Sequence, residues 1–264
     1  MLYSEQLDKE DDAIPSKIEG TPFPIEKTEK DEKYGCTISV VITAAGNSTR
    51  FGENKLLLDL AGKPLIIRTI EQFVKTSKVD EIIIAARSQD IVFYQDLFER
   101  HHLQVTIVEG GKERIESVYI GAKTSRGDII LTHDGARPLT PVWLIENLIQ
   151  AVKEHSAAMT AVPPTATIKY AQEDKMIQKS LARNTTWIAQ TPQGFRRNIL
   201  LDALKAAIRE KYFVATDDSE IVAKYAHPVI IVPGDDANIK VTYTSDLAIA
   251  RELYQFAGFN RPLA

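Results

Sequence analysis

Four stretches of the chain combine small residues with cations in a way suited to holding phosphorylated molecules. The first runs Ala44-Ala45-Gly46-Asn47-Ser48-Thr49-Arg50-Phe51-Gly52 and is followed by Lys55. Small side chains let backbone N–H groups close on a phosphate or a base, and Arg50 and Lys55 add positive charge. The second, Gly110-Gly111-Lys112-Glu113-Arg114-Ile115-Glu116-Ser117, reads as a diglycine turn opening a helix, whose N-terminus favours an anion. The third, His133-Asp134-Gly135-Ala136-Arg137-Pro138, ends a strand-like run with a carboxylate. A buried carboxylate needs a partner. Asp134 can pair with Arg137, or it can hold Mg²⁺, which prefers one or two carboxylates together with substrate phosphates. His133 has no second His or Cys at metal-site spacing and reads as packed in its strand. The fourth group is dispersed: Arg183, Thr191-Pro192-Gln193, Thr216-Asp217-Asp218 and Asn238-Ile239-Lys240. Thr216 alternatively caps a helix starting at Asp217, and Lys240 alternatively is a solvated strand residue.

The chemistry these residues lack is as informative. There is no GxSxG elbow, no HExxH pair, no Gly-Lys-Ser/Thr ending a P-loop, and no cysteine matched with a catalytic histidine. Nucleophilic serine, thiol and zinc mechanisms are set aside.

The elements that must position these groups are legible from Thr37 onward. Short β-branched runs over 38–43, 81–86, 104–108, 128–132, 158–162 and 229–232 predict strands. Stretches over 64–76, 90–101, 113–124 and 141–155 repeat apolar residues every three or four positions and predict helices. Pro64 sits at a plausible first helical position. Apolar strands alternating with helices imply a mainly parallel α/β sheet of the Rossmann-like kind, with helices on both faces. Ligands then bind beyond the carboxyl ends of the strands, where all four stretches fall. The rhythm breaks over 165–186. Two short strands, 166–171 and 176–181, flank the polar turn Gln172-Glu173-Asp174 and predict a projecting hairpin. Helices over 197–212, 217–226 and 245–257 close the chain.

The 264 residues divide into two parts. Residues 1–35 hold ten acids against five lysines, include three prolines and lack an apolar period, so they read as a flexible acidic tail without a catalytic role. The domain proper, 36–264, carries 26 acids and 27 bases and is close to neutral, so local cation clusters must hold any anionic substrate. With a net charge of −4 there is no broad basic field for nucleic acid. Neither a membrane-spanning apolar run nor a secretory leader is evident. The expectation is a cytoplasmic protein, or one of the plastid stroma if its source carries plastids.

Taken together the motifs resemble one family. AAGNSTRFG…K, GGKERIESV, HDGARP, QTPQGF at 190–195, TDDS at 216–219 and NIKVT at 238–242 occur in the order and spacing of 2-C-methyl-D-erythritol 4-phosphate cytidylyltransferase. Ser48, Asn54 and Leu56 depart from its usual first motif. The resemblance implies a nucleotidyltransferase-type fold, a homodimer joined by the hairpin arm, and a requirement for Mg²⁺. It implies that CTP and the polyol phosphate give a cytidine diphosphate alcohol and diphosphate. By the same resemblance Ala44, Ala45, Gly46, Gly111 and Ser117 contact the nucleotide, with Arg114 also substrate-binding, and Arg50 and Lys55 stabilise the transition state. Asp134, Arg137, Thr167, Thr191, Thr216 and Lys240 surround the acceptor and the metal-bound triphosphate, with Asp134 toward the metal. Arg183, on the arm, reaches the acceptor phosphate in the partner's site, and Arg183 and Lys240 position that acceptor. A cytidylyltransferase for another polyol phosphate such as ribitol 5-phosphate is the close alternative. A non-catalytic nucleotide-binding protein is the more distant one.

Overall fold

The computed structural model describes residues 35–46 and 54–256. The tail over 1–34, Arg50 and the chain end therefore lie outside the described residues. Along the chain come β1 (Ile38–Thr43), a 3-10 turn (Lys55–Leu57), β2 (Asp59–Leu60), β3 (Lys63–Pro64), α1 (Leu65–Val74) and β4 (Glu81–Ala86). Next are α2 (Ile91–Arg100), β5 (Thr106–Glu109), α3 (Arg114–Thr124), β6 (Ile129–Asp134), α4 (Val142–His155) and β7 (Ala157–Val162). The hairpin strands β8 (Lys169–Ala171) and β9 (Ile177–Ser180) precede β10 (Ile188–Arg196), α5 (Arg197–Arg209), α6 (Asp218–Tyr225), β11 (Ile230–Pro233) and α7 (Thr244–Phe256).

Seven strands form the main sheet in the order β11-β7-β10-β6-β1-β4-β5, and every pairing in it is parallel except those made by β10. The apolar, β-branched runs of β1 and β6 are buried on both faces, as a central parallel strand requires. Ile38, Val40 and Ile42 pack on one side with residues of α1, α2, α4 and α7. Val41 packs on the other with α3, α5 and α6. Register sets the strand ends level: Thr43 lies opposite both Ala85 and Asp134, and Ala86 opposite Glu109. The chain leaves the sheet at Ala44, Gly110 and Gly135 along a single edge, each anchored by a backbone hydrogen bond to a neighbouring strand.

Two features differ from the sequence expectation. Strand β10 has no counterpart among the expected strands, because Pro192 cannot donate to a ladder and Gly194 weakens a strand. The sheet accommodates them with a bulge between Ala189 and Gln193, and the Thr160 hydroxyl donates to the Pro192 carbonyl at 3.0 Å. At α1, Pro64 stands at the N-cap rather than at the first helical position, while pairing with Asp59 in β3. The hairpin over β8 and β9 is present, with both strands wholly exposed and the turn closed where the Met176 N–H donates to Asp174. Among the described residues no helix is long and apolar enough to cross a membrane.

Candidate active site

At the edge where β1 and β6 end lies a cleft of about 240 Å³. Thr43, Ala44, Ala45 and Gly46 form one wall, Gly111 to Arg114 with Ser117 another, and Lys55, Asp134 and Lys240 face the same space. Three of the four sequence stretches, and the last residue of the dispersed group, thus meet at one place.

Asp134 organises the charges. Its carboxylate lies 2.9 Å from Lys240 Nζ, 3.5 Å from Arg137 Nε and 3.9 Å from Arg114 Nε. Burial disfavours its charged form, but Lys240, Arg114 and Arg137 outweigh that and hold the carboxyl well below the usual carboxylate range. The pairing of Asp134 with Arg137 expected from sequence exists, as one contact of three. Lys240 is a loop residue beyond β11, reaching the carboxylate from a half-exposed position, and not a strand residue.

Lys55 begins the 3-10 turn, which Asn54 caps by accepting the Leu56 N–H at 3.2 Å. The Asn54 amide also donates to the buried Tyr94 hydroxyl at 3.2 Å, tying the turn to α2. Sequence reasoning missed this brace. Asn54 gave a signal only by departing from the family motif.

The N-terminus of α3 is not the open anion site its diglycine suggested. Glu113 and Glu116 form a capping box in which each side chain accepts the other's backbone N–H, occupying donors that a ligand would use. Gly110 is required by packing, since a Cβ there would stand 2.8 Å from Ser117 Oγ. Ser117 lines the cleft but donates inward, to the Glu113 carbonyl at 3.2 Å.

Behind Asp134 stands a buried network. The Thr191 hydroxyl accepts the Asp134 N–H at 3.0 Å and sits 3.0 Å from His133 Nδ1. His133 Nε2 lies 3.1 Å from the Arg137 carbonyl, which can only accept, so the tautomer assigned carries its proton on Nε2 and receives the Thr191 hydroxyl on Nδ1. Burial, helped by the positive Arg137 and Lys240, pushes His133 down to about 4 despite the opposing carbonyl bond and Asp134, so the ring is neutral at neutral pH. Asn238 donates to the Thr191 carbonyl at 2.8 Å and accepts from Thr140 at 2.9 Å, while its own carbonyl accepts from Arg137 at 2.8 Å. Thr191 and Arg137 therefore support Asp134 from behind and are not among the cleft-lining residues.

Thr216 and Thr167 also stand elsewhere. Thr216 precedes α6 and donates its N–H to Glu220, while Asp217 is the N-cap, accepting the Glu220 N–H at 2.9 Å. The next residue, Asp218, is fully buried and grips Arg114 with two hydrogen bonds of 2.7 and 3.0 Å. Thr167 and Arg183 share a different recess of about 200 Å³ at the base of the arm, with Pro164 and Leu181. Neither is among the residues that line the Asp134 cleft.

A model of the 2-C-methyl-D-erythritol 4-phosphate cytidylyltransferase family matches residues 38–255. The chain belongs to that family. Relatives named 2-C-methyl-D-erythritol 4-phosphate cytidylyltransferase include one from Bacillus licheniformis, 38% identical over 221 residues, covering 82% of this chain and 95% of the relative. Another, from Bacillus pumilus, is 39% identical over 220 residues and covers 81% and 95%. Among solved family structures, a 4-diphosphocytidyl-2C-methyl-D-erythritol synthase from Anaerococcus prevotii superposes with a TM-score of 0.75 at 28% identity, covering 84% of this chain and 99% of that one. The Thermus thermophilus cytidylyltransferase gives 0.70 at 28% identity, covering 83% and 99%. The motifs that carried the family resemblance thus lie within the matched span.

Proposed function

We propose that this chain is the cytidylyltransferase that joins CTP to 2-C-methyl-D-erythritol 4-phosphate, releasing diphosphate and 4-diphosphocytidyl-2-C-methyl-D-erythritol. The observation that carries this reading is the convergence of Lys55, Arg114 and Lys240 on one cleft around Asp134, in a chain matched by the family model from 38 to 255. The relatives reported above bear the methylerythritol phosphate name, which favours that acceptor over ribitol 5-phosphate.

The chemistry suits the residues. An oxygen of the acceptor's phosphate attacks the α-phosphorus of CTP, the new P–O bond forms as the bond to the β-phosphate's bridging oxygen breaks, and diphosphate leaves with the electron pair. A phosphate monoester with a second pKa of about 6 is mostly ionised near neutral pH, so no general base is required. What the reaction needs is juxtaposition of two anions and stabilisation of the departing charge. A cation about 4 Å from such a charge is worth on the order of 4 kcal/mol at an effective dielectric of 20. Lys55 and Arg50 are assigned to the triphosphate, and Lys240 and Arg183 to the acceptor phosphate, with Arg183 supplied across a homodimer by the partner's arm. Thr167, its neighbour in the arm recess, goes with it. The small residues Ala44, Ala45, Gly46 and Gly111 admit the nucleotide closely.

Mg²⁺ is the proposed cofactor. Among the described residues no three His, Cys, Asp or Glu side chains cluster as a metal cage. One cleft carboxylate plus phosphate oxygens is an ordinary donor set for this hard cation, so Asp134 and the triphosphate would hold it, and it would neutralise triphosphate charge. The proposed location is the cytoplasm, or the plastid stroma if the source carries plastids, and soluble phosphorylated substrates are in keeping with either.

The test is ³¹P NMR of the full chain with CTP, 2-C-methyl-D-erythritol 4-phosphate and Mg²⁺. The monoester signal should give way to two coupled diphosphate resonances of the product and one of released diphosphate. An unchanged spectrum under conditions where the protein is folded contradicts the reading.

A further inference from the structure

Asp218 belongs to a sequence motif, TDDS, whose second acid has no part in the chemistry described so far. It is the first residue of α6 and completely buried. A buried carboxylate is costly unless matched, and Arg114 matches it with a two-pronged contact, Nη1 to Oδ1 at 2.7 Å and Nη2 to Oδ2 at 3.0 Å. Burial opposes the charge on Arg114, and Asp218 and Asp134 more than offset it.

The contact leaves Arg114 with work still available. A guanidinium has five N–H donors in a rigid plane, so holding Nη1 and Nη2 fixes where Nε points. Nε lies 3.9 Å from Asp134 Oδ1, beyond hydrogen-bond reach, and the side chain is 31% exposed while lining the cleft. That edge is the part of the guanidinium left for a phosphate oxygen entering the cleft that Arg114 lines. Asp134 is also the next carboxylate within reach of Arg114. Without Asp218 the guanidinium would close on Asp134 and compete with Lys240, whose ammonium is 2.9 Å from the other oxygen.

We infer that Asp218 is a positioning residue for the transfer reaction: by gripping Arg114 it aims the Nε–H edge at a substrate phosphate and keeps Asp134 for Lys240. The inference rests on the cytidylyltransferase reading. It assigns the α6 start a role in the cleft without Asp218 touching substrate. The alternating row Asp218, Arg114, Asp134, Lys240 carries that role from a buried helix end to the reacting groups.

The experiment is a double-mutant cycle on the full-length protein, with diphosphate release from CTP and 2-C-methyl-D-erythritol 4-phosphate giving kcat and KM for each substrate. The variants are Asp218→Asn, Arg114→Lys and the double variant, with the folded fraction fixed by circular dichroism. Asp218→Asn should lower kcat/KM by roughly 10- to 100-fold per folded molecule in the Arg114 background, mainly in kcat. In the Arg114→Lys background, where no fork remains to aim, it should cost less than about threefold. Equal costs in both backgrounds, or wild-type kinetics for folded Asp218→Asn, overturn the inference and leave the pair as a helix tie. If Asp218→Asn does not fold, Asp218→Glu keeps the charge and displaces the fork. Lowered kcat in that folded variant supports the inference and unchanged kcat refutes it. An inactive wild type would instead remove the cytidylyltransferase reading, and this inference with it.

Discussion

Lowering the pH acts on His133 in a way that can be worked out from its surroundings. The ring is completely buried, edge-on to Phe73 with ring centres 4.8 Å apart, and its hydrogen bonds suit the neutral form. Its pKa falls from 6.5 to about 4 on folding. Because the folded value is depressed, the unfolded chain takes up the proton first. The stabilisation is complete above pH 6.5 and is lost as the pH falls toward 4. Linkage gives a loss of about 2 kcal/mol by pH 5 and about 3 kcal/mol by pH 4, on the order of 6–12 °C in melting temperature for a chain of this size. Carboxylates elsewhere also weaken in acid, so the readout is a difference between wild type and His133→Asn, whose amide can accept from Thr191 but does not titrate. Urea unfolding of both proteins at pH 7, 6, 5 and 4, followed by far-UV circular dichroism, gives that difference. The wild type should be the more stable at pH 7, and its advantage should shrink by about 3 kcal/mol by pH 4. A constant difference across the series would refute the assignment of a buried, neutral His133.

The remaining expectations concern single side chains. Lys55→Ala should lower kcat roughly 10²- to 10³-fold at saturating CTP, as removal of one preorganised charge-stabilising group does, measured by diphosphate release. Lys240→Ala and Arg183→Ala should chiefly impair use of the polyol phosphate, with the KM for CTP nearly unchanged; steady-state kinetics in each substrate separates the two. Gly194→Ala places a Cβ 2.6 Å from Val152 Cγ2 and 2.9 Å from Leu131 Cδ2 inside the core. It should destabilise the protein by about 1–3 kcal/mol in denaturant titration, with kinetics per folded molecule preserved.

The parts of the fold that were legible are those where one physical demand dominates. Strands β1 and β4 fall where their β-branched runs place them, because a central parallel strand must be apolar on both faces. Strand β10 was hidden because Pro192 cannot donate to a ladder and Thr191 turns its hydroxyl to the network behind Asp134, with a bulge between Ala189 and Gln193. The site shows the same division. Lys55, Asp134 and Lys240 could be placed together because strand carboxyl ends gather whatever follows them. Supporting contacts between distant segments leave no local pattern, so Asn54 with Tyr94 and Asp218 with Arg114 emerge only in three dimensions. The capping box at α3 was present in the spacing of Glu113 and Glu116, but an acid at the N-cap also reads as a helix-dipole partner. Thr167 was grouped with Asp134, whereas the fold sets it beside Arg183 on the arm.

The convergence of cations around Asp134 has meaning only if two phosphorylated molecules react there. Initial rates of diphosphate release, measured with each of four nucleoside triphosphates against 2-C-methyl-D-erythritol 4-phosphate and ribitol 5-phosphate, with and without Mg²⁺, decide that. Release should require CTP, the methylerythritol phosphate and Mg²⁺ together. Equal rates with ribitol 5-phosphate, or no release from any pair, would contradict it.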